Sequence, residues 1–198
     1  MTNIHIVIID DNIPNTDPLI RKLEKNYGKE NIHLFSTSQD GLNYLLDNLI
    51  QRMVVLLDIR FPATEKDGHT ILQELRKKTE LIPVVIWSAN ECSQNEFIDF
   101  LKNHAFSFIK QDASTQEIVF ELEKAIQSTS SNVDIAIEQW LEKQDNKDNT
   151  MLVSKSGNNY SANDLIKEIR IQTDEGKHLV SNINKLTIDL LFRGQEKI

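Results

Sequence analysis

Five polar side chains stand where they could do chemistry together. Asp10 and Asp11 follow the run Ile4 to Ile9, and Asp58 follows Met53 to Leu57. Ser88 follows Pro83 to Trp87, and Lys110 follows Phe106 to Ile109. If those runs are neighbouring strands, three carboxylates converge. Two unit charges about 4 Å apart repel by ~1 kcal/mol in water and ~4 kcal/mol at an effective dielectric of 20. Such a cluster calls for a counter-charge. Hard oxygen ligands with open positions favour Mg²⁺, and Lys110 can add positive charge from the last strand. A site of this kind holds an aspartate as a nucleophile toward a phosphoryl group, with cation and lysine absorbing the developing charge and the Ser88 hydroxyl donating to a phosphoryl oxygen.

The elements that must position these residues follow from periodicity. The apolar runs, with Ile32–Phe35 as a fifth, are short and rich in Ile and Val, as expected of strands buried on both faces of a parallel sheet. Between them lie helical spacings: Leu19, Ile20 and Leu23 after Pro18; Leu42, Leu45, Leu46 and Leu49; Ile71, Leu72 and Leu75. Ser93-x-x-Glu96 and Ser114-x-x-Glu117 open two more as capping boxes. Five strand–helix units predict an α/β fold, a flavodoxin-like parallel sheet of order 2-1-3-4-5, with function at the carboxyl ends of strands 1 and 3.

Residues 1–131 resemble the receiver domain of two-component response regulators. The matching pieces are I-V-I-I-D-D-N at 6–12, V-V-L-L-D-I-R-F-P at 54–62, D-G at 67–68, V-V-I-W-S-A-N at 84–90 and F-I-K at 108–110. The resemblance implies that Asp58 is the phosphoacceptor. It implies that Asp10, Asp11, Asp58 and the backbone carbonyl of Arg60 bind Mg²⁺, and that Ser88 and Lys110 contact the phosphoryl group. The implied donor is a histidine kinase or a histidine phosphotransfer protein. The family's strand-5 aromatic readout falls to Phe108, with Phe106 second.

Three features depart from the family pattern. Ala63-Thr64-Glu65-Lys66 lengthens the loop before Asp67-Gly68 by two residues. Gln111 stands where a proline usually follows the lysine. The lysine position itself is open: spacing from Ser88 selects Lys110, whereas aligning Phe108 and Asp112 selects Gln111, which could hydrogen-bond a phosphoryl oxygen without neutralising it.

Beyond a polar break at 127–132, Val133, Ile137, Trp140 and Leu141 have helical spacing, and 142–150 is polar. We assign 132–150 to a linker with a short helix and 151–198 to a small, mainly helical output or dimerisation module. Met151-Leu152-Val153 reads as a brief strand, Gly157-Asn158-Asn159 as a turn, and Ser161 and Thr173 as helix caps. Leu179, Ile183, Leu186 and Leu190 recur at spacings 4, 3 and 4. This stripe either packs within the chain or docks on a partner, including a second copy in a homodimer.

The bulk composition narrows the function classes. The 198 residues carry a net charge of -8, split -6 over residues 1–131 (13 basic, 19 acidic) and -2 over the rest (9 basic, 11 acidic). Neither part has the clustered positive charge of a general nucleic-acid binder, and no helix-turn-helix pattern is present. The single cysteine, Cys92, excludes an intramolecular disulfide and fits a reducing cytoplasm; five scattered histidines argue against zinc. No apolar stretch is long enough to span a bilayer, and the N-terminus has no secretory pattern. The expectation is a cytoplasmic response regulator signalling through altered protein–protein contacts to an unknown downstream protein, not an enzyme beyond self-catalysed phosphoryl transfer and autodephosphorylation. Its rivals are a pseudo-receiver that takes no phosphate, an aspartyl-nucleophile hydrolase, whose Asp-x-Asp pattern the adjacent Asp10-Asp11 does not match, and a DNA-binding regulator.

Overall fold

The computed structural model describes residues 4–88, 94–110, 112–131, 133–154 and 157–195. The chain divides into two units, Met1–Thr129 and Ser130–Ile198.

In the first unit, strands and helices alternate: β1 (His5–Ile9), α1 (Pro18–Tyr27), β2 (Ile32–Phe35), α2 (Ser38–Asp47), β3 (Met53–Asp58), α3 (Gly68–Arg76), β4 (Val84–Ser88), α4 (Gln94–Lys102), β5 (Ser107–Lys110) and α5 (Thr115–Ser131). The sheet is parallel, in the predicted order β2-β1-β3-β4-β5. The two-residue period of a strand divides the runs between two cores. Ile6, Ile8, Val54, Leu56, Val85 and Ile109 face α1 and α5, whereas Val7, Ile9, Val55, Leu57, Val84 and Ile86 face α2, α3 and α4. Burial on both faces explains why these strands read as continuous apolar runs.

Local chemistry fixes the helix starts. Asp17 caps α1 by accepting from the Leu19 N–H at 2.8 Å, with Pro18 in the first turn. Ser114 and Glu117 form the predicted capping box of α5. Ser93, the predicted partner of Glu96, lies outside the described residues.

The second unit contains α6 (Val133–Glu142), β6 (Thr150–Val153), β7 (Asn159–Ser161), α7 (Ala162–Arg170) and α8 (Asp174–Gln195). β6 and β7 form an antiparallel hairpin around the predicted turn. Ser161 and Asp164 make a capping box for α7, and the Thr173 hydroxyl accepts from the Gly176 N–H at the start of α8. The short helix of 132–150 neighbours α7, and its Ile137 and Leu141 are buried. Trp140 of the same spacing is exposed, and Glu138 is buried instead, paired with Arg170.

Candidate functional site

The β2-β1-β3 order sets the ends of β1 and β3 side by side. Asp10 follows β1 and is 1% exposed; its backbone N–H donates to the Phe35 carbonyl at 3.0 Å. Its Oδ1 accepts from the Asn12 and Ile13 N–H groups at 2.7 and 3.0 Å, and its buried Oδ2 has no protein partner. Asp11, the most open of the three, accepts from the Asn12 side-chain amide at 2.7 Å. Asp58 closes β3 and is 3% exposed; its Oδ1 accepts from the Ile59 N–H at 2.7 Å and the Arg60 N–H at 3.3 Å.

One oxygen from each of Asp10, Asp11 and Asp58 lies within 4.8 Å of the others. At an effective dielectric of 20, each such charge pair costs about 3–4 kcal/mol. Burial pushes the Asp58 carboxyl up to about 6; the Arg60 and Ile59 N–H groups pull it down, and the Asp10 and Asp11 charges push it further up. Burial likewise holds Asp10 above the ordinary carboxylate range, against the pull of the Asn12 and Ile13 N–H groups. Three oxygen donors, one of them a buried oxygen without a partner, fit a small divalent cation.

The remaining predicted residues are placed differently. Ser88 is the last residue of β4 and its backbone stands opposite Lys110, the last residue of β5. The Lys110 side chain is exposed and lines a groove at the outer edge of the sheet with Phe108, Asp112, Glu117 and Phe120. Gln111 lies outside the described residues. Phe108 is partly buried against the core that includes Phe100, Phe106 is 38% exposed, and Trp87 is in the core. The lengthened loop is tied at both sides: Glu65 accepts from the Ser38 N–H of α2 at 2.6 Å, and Lys66 pairs with Glu74 of α3 at 3.0 Å.

Sequence reasoning missed a set of side chains beside the acidic group. Arg60 pairs with Glu96 of α4 at 2.6 Å, and His69 Nδ1 lies 3.0 Å from Asp99 of α4. The His69 ring also stacks on Phe100, centroids 4.0 Å apart. These pairs span 30 and 36 residues, and no spacing rule reaches that far.

In the second unit, Leu179 and Ile183 of the stripe are half-buried, while Leu186 and Leu190 are 57% and 59% exposed. The first three line a groove of about 760 Å³ with Leu152, Tyr160 and Leu165. No helix among the described residues is long and apolar enough to cross a membrane.

Comparison with known proteins agrees with this geometry. A family model described as response regulator receiver domain matches residues 6–123. A putative response regulator, NtrX-like, of Rickettsia bellii is 26% identical over 138 residues, 68% of this chain; the chain spans only 28% of that relative's length. Two solved structures share the fold. A CheY-like receiver domain protein from Methanospirillum hungatei is 16% identical with a TM-score of 0.53, over 64% of this chain and 95% of that one. NtrX from Brucella abortus, crystallised with ATP, is 18% identical with a TM-score of 0.57, over 86% of this chain and 33% of that one.

Proposed function

The chain belongs to the response regulator receiver domain family, and on that premise we propose that it is a phospho-accepting switch whose acceptor is Asp58. The observation that carries the reading is the convergence of three carboxylates at the ends of β1 and β3, with Asp58 buried among them. Its Oδ1 is held by two backbone N–H groups, which leaves Oδ2 to attack phosphorus. The Oδ2–P bond forms as the P–N bond of a donor phosphohistidine breaks. The electron pair leaves on the donor imidazole, and the product is an acyl phosphate. A histidine kinase or a histidine phosphotransfer protein supplies that donor, and water later returns Asp58 to its free form.

Asp10, Asp11, Asp58 and the carbonyl of Arg60 are the ligands for Mg²⁺, which supplies charge neutralisation for the incoming phosphoryl oxygens. The backbone N–H groups orient Asp58, and its burial excludes water from the carboxylate. Ser88 donates its hydroxyl to the phosphoryl group, and Lys110, or Gln111 in its place, gives a second contact. Phe108, on the strand that ends in Lys110, carries the change outward. The signal leaves as altered protein contact with a downstream partner, with the α8 stripe of the second unit as the docking or homodimer surface.

Intact-mass spectrometry after treatment with acetyl phosphate and Mg²⁺ tests the acceptor. The wild type gains the mass of one phosphoryl group and Asp58→Asn gains none; equal labelling of both overturns the assignment. The exposed position of Lys110 favours a second reading, a pseudo-receiver that binds partners without phosphate. No label on either protein selects that reading.

A further inference from the structure

α8 changes character along its length. Leu179, Ile183 and Leu186 line the groove of about 760 Å³ with Leu152, Tyr160 and Leu165. From Lys185 to Leu190 every residue is exposed, the stripe residues Leu186 and Leu190 among them. An open apolar groove thus borders one half of the helix, and the other half carries an uncovered apolar stripe. Helical turns without a packed face are marginal in water, so the second half calls for a partner.

The stripe is symmetric about one level of the helix, between Asn184 and Lys185. Leu179 and Leu190 are equally far from that level, and so are Ile183 and Leu186. The ends of α8, Asp174 and Gln195, are equally far from it as well. A two-fold axis there lays two copies of α8 antiparallel over their whole length, about 33 Å. It sets Leu190 of a second copy beside Leu179, and Leu186 of a second copy beside Ile183. By sequence, Arg193 comes level with the turn that holds Asp174 and Glu175. A parallel pair would set groove against groove and leave both unfilled.

We propose that α8 pairs with α8 of a second copy in an antiparallel two-fold dimer, the exposed half of each helix filling the groove of the other. The proposal rests on the reading of the α8 stripe as a docking surface given above, and not on Asp58 as acceptor. Each copy spends its one groove and its one stripe on the same partner, so the assembly closes at two. Ile188 stands on the opposite side of the helix, where it lines a separate groove with Ile169 and Val180, and takes no part in the pairing.

Disulfide trapping on the full chain tests this, with Cys92→Ser in every variant. Leu179→Cys and Leu190→Cys are mixed in equal amounts, one of them carrying a mass tag, and oxidised. A disulfide forms only where the two Cα atoms approach to about 4.4–6.8 Å, so trapping reads the register. The expected product is the mixed dimer, while each variant oxidised alone stays a single chain. Adding Ile188→Lys leaves the mixed product unchanged. A nitroxide on Asp174→Cys, an exposed site, gives a second reading that leaves the stripe intact. The antiparallel pair holds the two labels about 30 Å apart, whereas a parallel pair holds them side by side. Absence of the mixed product, self-cross-linking of either variant alone, or its loss with Ile188→Lys overturns the proposal. Labels side by side, or labels without dipolar coupling, overturn it too. Asp58 labelling is measured separately, and the acceptor reading stands through any of these failures.

Discussion

Gly68 lies against the backbone of Asp58: a Cβ at Gly68 would stand on the Asp58 carbonyl oxygen and 2.8 Å from the Ile59 Cα. The Gly68 N–H also donates to the Ile59 carbonyl at 3.0 Å, so the two segments are drawn together at the point where a side chain has no room. That contact fixes the turn carrying Asp58.

Gly68→Ala therefore overpacks backbone against backbone, where no flexible side chain can yield. The expected loss is ~1–3 kcal/mol of stability, with slower labelling of Asp58 by acetyl phosphate because the turn is displaced. Chemical denaturation and the labelling time course measure the two effects. An unchanged midpoint would show that the turn relaxes freely.

The Asp58 carboxyl gives a pH prediction for the metal-free protein. Its folded-state value, about 6, lies above the ordinary carboxylate range. Between those two values the folded state holds more protons than the unfolded one, so stability falls as pH rises through the window and levels off above it. A shift of this size corresponds to ~2–3 kcal/mol. Asp58→Asn removes the charge while keeping an oxygen for the Ile59 and Arg60 N–H groups. It should stabilise the metal-free protein by ~1–3 kcal/mol at pH 7–8 and by almost nothing below pH 4. Added Mg²⁺ should stabilise the wild type more than the variant. Equal midpoints at pH 7.5 in chelator would refute the burial argument.

The outcome at particular residues shows what a sequence can carry. Asp10, Asp11 and Asp58 were legible because each ends an apolar run, and a parallel sheet dictates which ends meet. Ser114 with Glu117 was legible because a cap acts within four residues. Trp140 was not: its spacing fits a buried face, yet it is 55% exposed. Two residues earlier, across the helix, Glu138 is buried in its stead because Arg170, 32 residues away, neutralises it. His69 with Asp99 and Arg60 with Glu96 were hidden for the same reason, since tertiary pairing of charges leaves no period. β7 was reduced to a turn signal because Asn159, Tyr160 and Ser161 are too few to show alternation.

Arg170 and Glu138 yield a prediction on the second unit. They are 8% and 2% exposed, and Glu142 adds a second carboxylate to Arg170 at 3.3 Å. Removing one member of a buried pair strands the other charge, which costs ~3–5 kcal/mol. Arg170→Met should therefore collapse protection of α6 and α7 amides and leave β1 and β3 protected. The double change Arg170→Met with Glu138→Leu should recover most of the loss, because an apolar pair of similar volume often equals a buried ion pair. Hydrogen exchange resolved by segment checks both. A double variant as weak as the single one would mean that the pair acts through shape, not charge.

The last prediction concerns α8. Leu186, Ile188 and Leu190 are each more than half exposed within two turns, and Leu152 and Val153 of β6 are 40% and 59% exposed. Covering each such side chain contributes roughly 1.5–3 kcal/mol at full burial, and about half of that remains to be gained where a side chain is half exposed. The helix is electrically neutral by sequence, with Asp174, Glu175 and Asp189 against Lys177, Lys185 and Arg193, inside a chain of net charge -8. A second copy therefore meets little net repulsion along α8, and two such helices can run antiparallel with their macrodipoles opposed. Wild type should show a concentration-dependent mass above that of one chain in light scattering. Changing Ile183 and Leu186 together to Lys should return the mass to one chain while Asp58 labelling persists. A mass of one chain for wild type at high concentration, with and without acetyl phosphate, would refute self-association.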